Sequence, residues 1–162
     1  QELPVSANIT LTIGNLQAAK QRLLEIKQDI ISKIDTPSIT KDAADEVISD
    51  IDEAIVEIDS AITYLQVGEF DEALDKVQDA IEEIDEAIEE VLDELGEEGI
   101  SESYANWLIA ELEKVKKMLT GEVQVTLGKG YRIFIYKDGL GIEIYGVNKL
   151  DITYAVIEAK IT

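Results

Sequence analysis

The sequence predicts an α+β fold in which about four antiparallel helices are joined to a small, mostly antiparallel sheet formed by both chain ends. Three observations lead to this prediction. Apolar residues recur every seven positions through the middle of the chain, as in paired helices. Alternating segments, typical of strands, precede this middle part at 5–13 and follow it at 122–161. With 162 residues, the chain is long enough for one globular unit, 1–162, and too short for two large domains.

The N-terminal strand is predicted at 5–13, where apolar and polar side chains alternate before a turn at Gly14-Asn15. Its apolar face carries Ala7, Ile9, Leu11 and Ile13. We expect this strand to pair with the C-terminal strands or to add to the sheet edge of another copy of the chain. Ile9, Leu11 and Ile13 are therefore candidate assembly residues.

The helical region is predicted at 16–119, and its clearest part is an acidic hairpin at 41–96. Two consecutive stretches repeat apolar residues at seven-residue spacing, and a short turn at Val67-Gly68 separates them. The repeated residues are Ala44, Ile51, Ile58 and Leu65, then Phe70, Val77, Ile84 and Val91. Further alanines at 54, 61, 73, 80 and 87 would let the two helices approach closely. The sequence therefore predicts an antiparallel hairpin with coiled-coil packing.

Helix-capping residues mark where two of the helices begin. Thr36-Pro37 ends the first helix, because proline disfavours helical geometry in the residue before it. Ser38 or Thr40 can then cap the second helix, and Ser101 or Ser103 can cap the fourth.

The C-terminal part, 122–161, is predicted to form a β-meander. Asp138-Gly139 lies between two alternating segments, and this dipeptide favours the type I′ turn of a hairpin. A last strand is expected at 151–161. Together with the N-terminal strand, these segments would give a sheet of about five strands.

The composition excludes several kinds of function. The chain has no histidine and no cysteine, which removes thiol nucleophiles, imidazole acid–base catalysis, serine–histidine triads and the usual zinc ligands. Hydrophobic residues make up 46% of the chain and charged residues 30%, so a packed core is expected rather than disorder. We predict no catalytic residue and no cofactor.

The net charge of −21 is concentrated in the middle of the chain. Between Lys41 and Lys114 there are 26 acidic residues and one basic residue, Lys76, so this stretch carries −25. The parts on either side are slightly basic. Such a distribution argues against nucleic-acid binding, which requires a basic face, and favours contacts with a basic protein surface.

The most acidic run, 82–98, holds ten carboxylates in 17 residues. One interpretation is weak Ca²⁺ binding, because calcium takes carboxylate oxygens as ligands. The candidate residues for that interpretation are Glu82, Glu86, Glu90, Asp93 and Glu97. The other interpretation is the solvated outer face of a hairpin, since the sequence has no Asp-x-Asp-x-Asp-Gly loop.

These observations predict a non-catalytic structural or interaction protein, with a self-assembling cell-surface or extracellular filament subunit as the specific hypothesis. Its partner would be another copy of the chain or another surface protein. Lys114, Lys116 and Lys117 form a basic group that can contact an acidic hairpin. Two alternatives stay open: an acidic module that binds divalent cations or docks a partner, and an enzyme, for which no catalytic group is evident.

Export from the cell is expected from the N-terminal sequence. The chain begins at Gln1 rather than at methionine, as it would after removal of a leader, and Asn8 is the acceptor of an Asn-x-Thr glycosylation sequon. We therefore expect an extracellular or cell-surface protein, with a cytoplasmic location as the alternative. No run of 18 apolar residues occurs, so no transmembrane segment is predicted. The 24 isoleucines are compatible with a thermophilic source.

Overall fold

The computed structural model describes residues 13–120, 124–128, 131–136 and 139–144. Its four helices are α1 (Ile13–Lys33), α2 (Lys41–Gln66), α3 (Phe70–Gly96) and α4 (Glu102–Thr120). Each helix packs against the next one along the chain, and α1 also packs against α4. The helices therefore form a closed antiparallel four-helix bundle.

The helical hairpin predicted from the seven-residue spacing is confirmed. Residues 67–69 join α2 to α3, and Gly68 has a φ of 79°, a left-handed conformation that glycine adopts without steric cost. Most of the residues with seven-residue spacing are buried: Ala44, Ile51, Ile58, Val77, Ile84 and Val91. Phe70 differs, because it lies in the first turn of α3 beside the loop and is 61% exposed.

Small residues fill the contact between α2 and α3. Seven alanines of the hairpin are fully buried: Ala43, Ala44, Ala54, Ala61, Ala73, Ala80 and Ala87. Because an alanine side chain is a single methyl group, the two helices can approach more closely than they could with larger residues. Side chains that flank this buried contact are consequently brought near one another.

Two loops are tied together at one end of the bundle. These loops are 34–40, between α1 and α2, and 97–101, between α3 and α4. Backbone hydrogen bonds of 2.9 Å run from Thr40 N to Gly99 O and from Ser101 N to Ser38 O. The apolar residues of the two loops, Ile39 and Ile100, are buried. The start of α2 is therefore held against the end of α3.

Side-chain caps begin α2 and α4. The Oγ1 atom of Thr40 accepts a hydrogen bond from the backbone N–H of Ala43 at 3.3 Å. The Oγ atom of Ser101 accepts one from the backbone N–H of Tyr104, also at 3.3 Å. Each cap satisfies an N–H group that has no partner within its helix.

The predicted α+β class is wrong, because four helices make up most of the described residues and no strand is described from the N-terminal part of the chain. Ile13, expected as the last residue of an N-terminal strand, is the first residue of α1. Asn15, expected in a turn, is buried within α1, and its Nδ2 atom donates a hydrogen bond of 3.3 Å to Met118 O. That carbonyl lies in the last turn of α4, where carbonyls lack partners within the helix. Contact with α4 therefore favours helix at this position.

Three short strands follow α4: β1 (Gln124–Gly128), β2 (Tyr131–Tyr136) and β3 (Gly139–Ile144). They form an antiparallel meander in the order β1-β2-β3, with Val125 opposite Phe134 and Ile133 opposite Ile142. The remaining parts of the predicted strands, 5–12 and 151–161, lie outside the described residues. The predicted sheet of about five strands from both chain ends is therefore not supported.

Replacing Ala80 by leucine is expected to lower the free energy of unfolding by roughly 1–3 kcal/mol, because the larger side chain would overpack a fully buried position of α3. Urea denaturation measures this quantity. Ala110→Leu is the matched control, since Ala110 is exposed on α4 and can accept the same added volume. Equal stability of the two variants would show that the contact at Ala80 is not tightly packed.

Candidate functional site

Carboxylates of α2 and α3 face one another along the hairpin. They form two groups, and within each group one carboxylate oxygen from every residue lies within 4.8 Å of those from the others. The first group contains Asp50, Glu53, Glu83 and Glu86, and the second contains Glu46, Glu90 and Glu94. We refer to these seven residues as the acidic seam.

The heptad pattern places the acidic seam directly beside the buried contact of the hairpin. Asp50 precedes the buried Ile51 in α2, and Glu83 precedes the buried Ile84 in α3. In paired helices, residues that flank the apolar positions meet across the interface, where opposite charges normally stabilise the pair. Here both helices carry acids at these positions, so like charges meet instead.

Gly99 shapes one end of the acidic seam. A side chain at this position would collide with the carboxylate of Glu94, and its Cβ would come within 3.3 Å of the Cβ of Ala43. The backbone N–H of Gly99 also donates a hydrogen bond of 2.7 Å to Glu94 O. Because glycine has no side chain, the Glu94 carboxylate can occupy this space.

Opposite charges meet farther along the hairpin, towards Gly68. Lys76 is the single basic residue of α3, and its Nζ atom lies 3.5 Å from Oε2 of Glu57 in α2. This is the conventional arrangement for paired helices. The contrast shows that the same interface geometry gives an ion pair with one sequence and a carboxylate cluster with another.

Three lysines of α1 and α4 form ion pairs on the flanks of the hairpin. They pair with acids that lie outside the acidic seam: Lys20 with Asp59 at 2.8 Å, Lys27 with Asp52 at 2.7 Å, and Lys116 with Asp85 at 2.6 Å. Basic residues of the neighbouring helices are thus used on both sides of the hairpin. The charge between α2 and α3 is not compensated by these three pairs.

Burial and crowding raise the pKa values in the first group. The pKa of Asp50 rises from 3.8 to about 6, mainly through burial and then through the charges of Glu86, Glu53 and Glu46. The pKa of Glu83 rises from 4.5 to about 7, again mainly through burial, with a hydrogen bond to Glu53 as the next cause. Ionisation of every member at once is unfavourable because like charges lie so close together.

The second group behaves in the same way. A hydrogen bond with Glu46 is the largest cause that raises the pKa of Glu90 to about 7, and burial adds to it. The pKa of Glu94 is also raised, mainly by burial and then by a hydrogen bond with Glu46. Two carboxylates can form such a bond only when one of them is protonated.

One oxygen of Glu83 supports proton sharing independently. Its Oε2 atom is buried and has no hydrogen-bond partner. A buried acceptor without a partner is costly, and protonation would convert one oxygen of the Glu83–Glu53 pair into a donor. The acidic seam can therefore hold protons in a range where isolated carboxyl groups have lost them.

The residues predicted as cation ligands are distributed over different surroundings. Glu86 belongs to the first group of the acidic seam and Glu90 to the second. Glu82, Asp93 and Glu97 are exposed and belong to neither group. Five members of the acidic seam were not predicted: Glu46, Asp50 and Glu53 of α2, together with Glu83 and Glu94 of α3. Acids beside the heptad positions of both helices were the signal that could have identified them.

The predicted assembly residues are placed as follows. Lys114 lies 3.5 Å from Glu111, Lys116 pairs with Asp85, and Lys117 is exposed in the last turn of α4. Ile13 is half-buried at the start of α1, whereas Ile9, Leu11 and the predicted acceptor Asn8 lie outside the described residues. Among the helices that are described, none is long and apolar enough to cross a membrane.

Raising the sodium chloride concentration should stabilise the bundle. Glu82, Glu86, Glu90 and Glu94 follow one another at four-residue spacing, and each such like-charge pair costs roughly 0.2–0.5 kcal/mol. At about pH 8, above the pKa of about 7 of Glu90, screening of the three pairs should therefore add on the order of 1 kcal/mol to the free energy of unfolding. Calcium chloride at equal ionic strength is the comparison, and we expect no greater effect from it. A stability that does not change with either salt would contradict this electrostatic account.

The chain was also compared with known proteins. No family model matches it, and no curated protein and no solved structure gives a significant match.

Proposed function

We propose that this protein is a non-catalytic interaction protein that docks its acidic hairpin against a basic surface. The basic surface would belong to another copy of the chain or to another surface protein. The main support for this proposal is the concentration of acids in α2 and α3, together with the contact between like charges of the two helices.

The charges of the four helices support docking through the hairpin. The α2 helix has eight acidic residues and one lysine, and α3 has twelve acidic residues and one lysine. By contrast, α1 has four basic and two acidic residues, and α4 has three of each. A surface with such a field attracts positively charged partners and accelerates their association, with a strong dependence on salt.

Ion pairs within the bundle show the geometry that a docked lysine would repeat. In the three pairs from α1 and α4, the Nζ atom approaches an aspartate oxygen of the hairpin at 2.6–2.8 Å. The acidic seam offers more carboxylates of this kind, and several of them are exposed: Glu46, Glu53 and Glu86. A partner's lysine or arginine placed there would relieve the repulsion between α2 and α3.

Self-assembly is the version of this proposal that the chain's own basic residues favour. Lys114 and Lys117 are exposed near the end of α4 and can reach the hairpin of a neighbouring copy. An extracellular or cell-surface location is part of the same proposal and rests on the sequence around Asn8. A filament would require each copy to use both its acidic and its basic surface.

Self-association of the full chain tests the proposal. Sedimentation velocity at about 20 mM and about 500 mM sodium chloride should show assemblies that dissociate at the higher concentration, because salt screens contacts between exposed charges. Lys117→Gln should weaken association several-fold. Lys33→Gln is the matched control, since Lys33 lies outside the hairpin and pairs with Asp29 of its own helix.

The other outcomes are equally informative. A monomer that binds a lysine-rich peptide with salt-sensitive affinity would assign the hairpin to a different partner protein. A monomer that binds no such peptide would contradict docking through the acidic hairpin. Association that strengthens as salt increases would indicate an apolar contact and would also contradict it.

A further inference from the structure

We propose that the acidic seam is a pH-responsive contact, in which the facing carboxylates share protons while α2 and α3 are packed and release them when the helices separate. This inference goes beyond docking, because it concerns the stability of the bundle itself. It would stand even if no partner bound the hairpin.

Geometry is the first support. Seven carboxylates from two helices converge in two groups, and within each group one oxygen from every residue lies within 4.8 Å of those from the others. The helices cannot move apart locally without opening the contact made by Ala54, Ala80 and Ala87, which are fully buried. Packing of the apolar contact therefore forces the acids together, and separation of the helices would let each acid return to water.

The surroundings of the acidic seam are the second support. The charges that act on Asp50, Glu83, Glu90 and Glu94 come from acids of α2 and α3 and from one acid of the loop after α3. Those of the two helices are Asp42, Glu46, Asp50, Glu53, Glu86 and Glu94, and the loop residue is Glu97. Three lysines of the packed neighbours, α1 and α4, contact Asp52, Asp59 and Asp85 instead. Lys33 of α1 and Lys114 of α4 contact Asp29 and Glu111 of their own helices. Lys76 of α3 contacts Glu57 and Asp79. Because these lysines contact other acids, protons taken up from the solvent are what neutralises the acidic seam.

The direction of the pH effect follows from proton linkage. Glu83 and Glu90 have pKa values of about 7 in the bundle, above the 4.5 of an isolated glutamate. Between these two values the folded chain holds more protons than the unfolded chain. The stabilisation is therefore fully present below about pH 4.5 and is lost as the pH rises through about 7. Protonation also lowers the negative charge that a basic partner would meet.

The test compares unfolding of the full chain at about pH 5 and about pH 8, at constant ionic strength and with a metal chelator present. We expect the folding equilibrium constant of the native sequence to fall at least about tenfold between these values, the change produced by one group whose pKa is raised by one unit. Glu83→Gln, which resembles the protonated acid, should raise stability at about pH 8 and reduce this difference. Glu82→Gln is the matched control, because Glu82 is exposed on the same helix and lies outside the acidic seam.

A second measurement does not depend on how the variants fold. Carboxyl carbon NMR of the native sequence should give titration midpoints for Glu83 and Glu90 well above 4.5, the value of an isolated glutamate. The inference is overturned if these midpoints lie near 4.5, if stability is the same at both pH values, or if Glu83→Gln and Glu82→Gln change the pH dependence equally. A dependence on pH that appears only when calcium replaces the chelator would overturn it as well.

Discussion

The close packing of α2 against α3 is the interaction on which the rest of this structure depends. Its buried positions alternate isoleucine or valine with alanine, so the contact is both apolar and narrow. The apolar part drives the helices together, and the narrowness decides how near the flanking side chains come. Both effects therefore depend on the distance between the two helices: a shorter distance improves the apolar packing and also increases the repulsion between the flanking acids.

This coupling explains why the acidic residues of the bundle do not all behave alike. Asp52, Asp59 and Asp85 project towards the neighbouring helices and meet lysines there. Members of the acidic seam project towards each other across the narrow contact. The same residue type is therefore an ion-pair partner on the flanks of the hairpin and a shared proton site along its centre.

Much of the helical architecture could be predicted from the sequence, because seven-residue spacing and capping residues are local signals. The hairpin, its turn at Gly68 and the caps at Thr40 and Ser101 were all recognisable in this way. The prediction of strand at Ile13 was wrong because two patterns overlap there. The alternation before Ile13 is typical of a strand, whereas Leu16, Ala19 and Leu23 after it form a buried helical face. The contact of Asn15 with α4 joins residues 103 positions apart, which no local pattern reveals.

Only part of the acidic seam could be predicted from the sequence, for a related reason. The acidic run at 82–98 drew attention to α3, and Glu86 and Glu90 were among its candidates. Their partners Glu46, Asp50 and Glu53 depend on the register between two helices, which the three-residue loop at 67–69 and the packing of alanines determine. A run of acids in the sequence indicates that one helix has an acidic surface. It does not show which of those acids meet acids of a second helix, because that depends on how the two helices pair.

The hydrogen bonds between the loops at 34–40 and 97–101 have a consequence for how the hairpin relieves its repulsion. A helical hairpin with a free end can relieve strain by fraying, which is the least costly local motion. Here α2 and α3 are covalently joined at 67–69 and held together at the other end by the Thr40–Gly99 hydrogen bond. Because both ends of the hairpin are closed, the repulsion between its carboxylates can be lowered by uptake of protons from the solvent without separating the packed helices. The bundle would then act as a buffer near neutrality, in the range usually served by histidine, in a chain that contains none.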